Sequence, residues 1–157
     1  MYDDLIIVTY LRTMEAMMAW VRLHLLHGNL PLGIDTAMIL TVNETGKAYA
    51  LQVSDLTDFP CGPEMRFLGS LIRQVIDHEY EPAGIQLIDA GIEETFLTGL
   101  SQAITPGSSA IIYYAPAGGF VDVSQLLTVL SQEHGIIHHT TLTPTTAERI
   151  RELAKST

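Results

Sequence analysis

Residues 38–53 hold the pattern that most narrows what this chain can fold into. Met38-Ile39-Leu40-Thr41-Val42 and Ala48-Tyr49-Ala50-Leu51-Gln52-Val53 are two runs of β-forming residues, separated by Asn43-Glu44-Thr45-Gly46-Lys47. Gly46 supplies the positive φ that a tight turn needs, so the segment reads as an antiparallel hairpin. A doubly wound parallel sheet has no place for such a hairpin at its centre.

Strands and helices alternate around it. Leu5-Ile6-Ile7-Val8-Thr9-Tyr10 is a central-strand run. Met14, Met17, Met18, Val21 and Leu25 then recur at the spacing of one helix face, with Thr13 placed to cap it and Gly28-Asn29 to end it. Residues 55–63 read as a loop. A helix follows, with Phe67, Leu68, Leu71, Ile72, Val75 and Ile76 on one stripe, ending before Pro82. Residues 84–90 fit a short strand or a buried linker. Glu93 and Glu94 open another helix, with Phe96, Leu97, Leu100 and Ile104 inward. Ser109–Tyr114 is the next strand, then a helix burying Val123, Leu126, Leu127 and Leu130 and stopped by Gly135. Ile136–Leu142 is the last strand, and Thr145 and Glu148 have capping-box spacing before a final helix with Ile150 and Leu153 inward. Strand, helix, glycine stop and strand thus occur at 5–42 and again at 109–142. The expected fold is α+β, one domain over residues 1–157: a ferredoxin-like mixed sheet with helices packed on it, extended by an extra strand–helix unit.

The chain has 157 residues, enough to bury a core without staples. Its 18 acidic residues against 8 basic ones give a formal net charge of −10, which disfavours nucleic acid and anionic membrane surfaces. Only 17% of residues are charged while 47% are hydrophobic, so apolar surface is left over for a partner and a homo-oligomer is expected. One cysteine, Cys61, makes no internal disulfide and fits a reducing compartment. No run reaches the roughly 20 apolar residues that cross a bilayer, and the first residues lack a basic secretory leader, so a cytoplasmic location is expected.

Gly91-Ile92-Glu93-Glu94-Thr95-Phe96-Leu97, then Leu100, Ile104 and Thr105-Pro106-Gly107-Ser108-Ser109-Ala110, resembles a bacterial family of domains of unknown function. In that family a helix opening with acidic residues leads through Pro-Gly-Ser-Ser-Ala into a buried strand. The resemblance covers most of the chain and implies an α/β fold. Members described as membrane proteins carry a glycine-rich apolar insert that residues 54–90 here replace with charged and proline-bearing stretches, and the family carries over no catalytic residues.

Candidate chemistry is sparse. His24 and His27 lie three apart on a helix, while adjacent His138 and His139 on a strand point to opposite sides. No metal-site spacing joins them, and the simpler reading is surface or helix-end histidine. Asp77, His78, Glu79 and Glu81 read as a solvated helix end. Ser108 and Ser109 precede a strand, whereas a nucleophile elbow follows one. Cys61 sits between Pro60 and Gly62 with no base beside it in sequence. The loop Ala115–Val121 joins a strand to a helix start, a place where anions bind, and Gly118, Gly119 and Asp122 are the candidate ligand residues. It lacks the lysine and spacing of a P-loop, and Asp122 is also suited to cap the helix. No cofactor is implied. The favoured reading is a non-enzymatic association or regulatory module. A small-ligand or anion sensor using residues 115–122, and an enzyme using Cys61 or a histidine cluster, are its alternatives.

Overall fold

The computed structural model describes residues 2–27, 37–52, 72, 82–118 and 122–155, without the side chains of 24–27, 50–52 and 82–85. Among these residues five strands, β1 (Asp3–Tyr10), β2 (Ala37–Val42), β3 (Ala48–Gln52), β4 (Ser109–Ala115) and β5 (Ile136–Leu142), form one sheet in the order β3-β2-β4-β1-β5. The helices are α1 (Glu15–His27), α2 (Pro82–Ala90), α3 (Glu94–Ala103), α4 (Val123–Leu130) and α5 (Pro144–Lys155).

Every neighbouring pair of strands is antiparallel. The sheet is therefore antiparallel throughout, where the sequence reading expects a mixed one. The reason lies in the connections. β1 and β2 run the same way, but β4 lies between them; β4 and β5 run the same way, but β1 lies between them. Two split strand–helix–strand units, β1-α1-β2 and β4-α4-β5, are thus interleaved. The hairpin contributes β2 to this set, and β3 extends the sheet at its edge. Its turn forms as Gly46 and Asn43 dictate. Gly46 has φ 89°, and Asn43 Oδ1 accepts the Thr45 and Lys47 backbone N–H groups at 3.0 and 2.9 Å.

The sheet is covered on both sides. Ile6, Val8, Tyr10, Ile39, Ile111 and Tyr113 face α1 and α4. Leu5, Ile7, Leu40, Ile112 and Tyr114 face the opposite layer, in which Ile72, Leu87, Leu97, Leu100 and Ile150 are buried. Leu5, Ile6, Ile7 and Val8 are fully buried, so β1 faces core on either side and needs an unbroken apolar run. Each such side chain contributes about 1.5–3 kcal/mol relative to exposure.

Three local readings change. Residues 84–90 belong to α2, with Leu87 and Ala90 buried; an apolar window this short does not separate strand from helix by itself. The last helix starts earlier than the Thr145–Glu148 spacing indicates. Thr143 Oγ1 accepts the Thr146 N–H at 3.2 Å with Pro144 in the first helical position, and Glu148 pairs with Arg151 at 2.9 Å. The third change concerns α1.

Candidate association surface

The sequence reading puts Met14, Met17, Met18, Val21 and Leu25 on the buried side of α1. The structure buries Ala16, Ala19, Trp20 and Leu23 instead. Met14, Met18 and Val21 are 56%, 53% and 45% exposed, Leu11 just before the helix is 81% exposed, and only Met17 leans against the core. At about 100° per residue the two stripes lie on opposite sides of the helix.

Small residues decide which stripe goes inward. Ala16 and Ala19 let the helix backbone approach the sheet until the Ala16 N–H donates to Ser109 Oγ at 3.0 Å, and that hydroxyl donates to the Arg12 carbonyl at 2.6 Å. Ser109, a fully buried residue of β4, therefore anchors the first turn, the task the sequence reading gives Thr13. Trp20 and Leu23 fill the remaining depth. The longer methionines fit outside, where a flexible thioether chain can adapt to whatever it meets.

The flank between the stripes is charged. Glu15 and Arg22 are seven residues apart and share this side. Arg22 Nη2 is 3.0 Å from Glu133 Oε2, just beyond α4, and Arg12 Nε is 3.9 Å from Glu15 Oε1. Below them the Tyr10 and Tyr113 hydroxyls are buried and find no hydrogen-bond partner among the described residues. Burial first, and the Glu133 carboxylate second, push the Tyr10 phenol up to about 12 despite the opposing pull of Arg22. Burial raises Tyr113 further.

The glycine loop after β4 is tied down by the chain itself. Asp3 is 3% exposed, and its carboxylate accepts the Ala117 N–H at 2.7 Å and the Tyr114 hydroxyl, with Arg151 Nη2 at 3.5 Å. Gly118 has φ 74°, and Asp122 caps α4 by accepting the Gln125 N–H at 3.1 Å. A carboxylate does sit at this loop, and it is Asp3. Gly119 lies outside the described residues, as do Cys61, the 55–63 loop, Gly28-Asn29, the 77–81 acidic run, and the side chains of His24 and His27.

His138 and His139 diverge to opposite faces of β5. His139 Nε2 is 2.7 Å from Asp4 Oδ1, whereas His138 Nε2 is 3.3 Å from Thr9 Oγ1, and burial lowers the His138 pKa. They cannot share an ion, and among the described residues no three His, Cys, Asp or Glu side chains group as metal ligands. A groove of about 480 Å³ between α2 and α5 is lined by Gln86, Asp89, Ala90, Arg149, Glu152 and Leu153. Its guanidinium is engaged, Arg149 Nη1 donating to the Asp89 carbonyl at 3.2 Å. No helix among the described residues is long and apolar enough to cross a membrane.

No family model matches the chain, and no curated protein or solved structure matches it either. The outer side of α1 is thus the feature of the described surface least explained by the fold. Its signal was present in sequence as two regular apolar stripes on one helix, where a helix packed on one side needs a single stripe.

Proposed function

We propose that the chain is a non-enzymatic association module that assembles with itself. The observation that carries this reading is the exposed apolar stripe of Met14, Met18 and Val21 with Leu11 beside it. Together these side chains make a patch on the order of 400 Å², a size at which exposed apolar surface is commonly functional. The composition supports the same reading, with 17% charged residues across 157. Among the described residues, three polar side chains are engaged within the fold. Ser109 holds α1, Asp3 holds the loop, and Asp122 holds α4. Sedimentation velocity of the full chain from low to high micromolar concentration tests the proposal. A concentration-dependent rise to at least twice the monomer mass is expected; a monomer across the range rejects it.

A further inference from the structure

We infer that two copies of this chain dock α1 against α1 in an antiparallel pair about a two-fold axis passing between Met18 and Val21. The inference rests on the self-association reading and specifies its site and geometry.

Spacing gives the register. Met14, Met18 and Val21 follow the alternating steps of four and three residues that make a helix-to-helix seam, and Leu25 continues the series in sequence. Met14 already belongs to the helical turn, since its carbonyl accepts the Met18 N–H at 3.0 Å. In an antiparallel arrangement centred between 18 and 21, Met18 of one copy lies against Val21 of the second. The flank then becomes self-complementary, because Glu15 of one copy comes opposite Arg22 of the other, and the two-fold axis makes this contact twice. A parallel pair would carry this flank of the two copies to opposite sides of the seam, so Glu15 and Arg22 would not meet. Arg22, its side chain 48% exposed, can serve Glu133 and a second carboxylate together.

Charge also favours a second copy meeting here. A net −10 chain repels its copies over most of its surface, whereas on this side Arg12 and Arg22 balance Glu15 and Glu133. Area is compatible as well. The stripe supplies roughly half of the ~800 Å² per partner that a stable dimer buries, and the Arg12, Glu15 and Arg22 stems can extend it. On the opposite side of the sheet α2, α3, α5 and Ile72 already cover the core, so that layer is spoken for.

The test compares the full-length chain with Met18→Glu and Glu15→Lys by sedimentation velocity, with circular dichroism to check helix content. Met18→Glu is expected to weaken the dimer by at least about tenfold with its helix signal retained. Glu15→Lys should weaken it at low salt, less so at high salt. In a Cys61→Ser background, Val21→Cys near the axis should be joined between copies by a short bifunctional maleimide. Leu11→Cys, at the far end of the stripe, should not. A monomeric parent chain overturns this inference and the self-association reading together. A dimer that survives Met18→Glu overturns the docking site alone, as does one indifferent to Glu15→Lys at low salt. Cross-linking at both positions 11 and 21 overturns the antiparallel geometry even if α1 is the interface.

Discussion

Along α1, Ala16, Ala19, Trp20 and Leu23 face the sheet, and Met14, Met18 and Val21 face away from it. Both stripes are apolar and both have helical spacing. Their difference is one of fit. The inner stripe combines two methyl-sized residues with an indole, so the backbone comes close enough for Ser109 to hydrogen-bond the first turn. The outer stripe is all long or branched chains without a neighbour of that kind. Periodicity reports that a face is apolar; side-chain volume reports which face can approach a sheet.

The comparison can be broken most forcefully at Trp20. Trp20→Ala should destabilise the folded chain by about 3–5 kcal/mol, read as a large loss in denaturant midpoint, because it removes the largest side chain of the inner contact. A change as small as that of an exposed residue would mean the inner stripe is not the packed one. Ser109→Ala is the next test. It leaves the buried Ala16 N–H and the Arg12 carbonyl without their partner and should cost about 1–3 kcal/mol, with amide exchange accelerated at the start of α1. Unaltered exchange there would show that the helix is held by its side chains alone.

Tyr10→Phe gives the smallest effect and sharpens how dry the inner side is. The phenol's ordinary value is 10.0 and the fold raises it to about 12. Below pH 10 it is protonated in both states, and its full contribution to stability is present. As pH rises from 10 toward 12 the unfolded chain ionises first, so stability is progressively lost. Tyr10→Phe should make that alkaline decline shallower. Near neutral pH it should leave stability unchanged or raise it by up to about 1 kcal/mol, since the hydroxyl has no partner among the described residues. Equal alkaline slopes in urea titrations of the two chains would place Tyr10 in a wet site.

What the sequence discloses follows the range of the interactions involved. The hairpin is legible because Asn43 and Gly46 build its turn from neighbouring atoms. Glu93 and Glu94 mark a helix start for a similarly local reason. Asp122 is legible as a cap because its partner is three residues away. The inward face of α1 depends on Ser109, 93 residues from Ala16, and no local pattern carries that information. The same holds for Asp3, whose carboxylate meets a loop 114 residues later, and for the strand order, which interleaves two units far apart in sequence. On α1 the helical spacing of Met14, Met18 and Val21 is legible in the sequence, but it reads as the buried face where the structure exposes it.

The interleaving has a consequence for how the chain must assemble. β1 pairs with β4 and β5 and with neither strand of the hairpin, so once made it waits until residue 109 before either neighbour begins to exist. During that interval Leu5-Ile6-Ile7-Val8 is an uncovered apolar ribbon with both edges free. Closing such distant contacts is slow, and the middle of the sheet is completed only when β4, the fourth of its five strands, is made. Translation speed and chaperone access thereby bear on the yield of this chain more than on that of a fold whose neighbouring strands are consecutive.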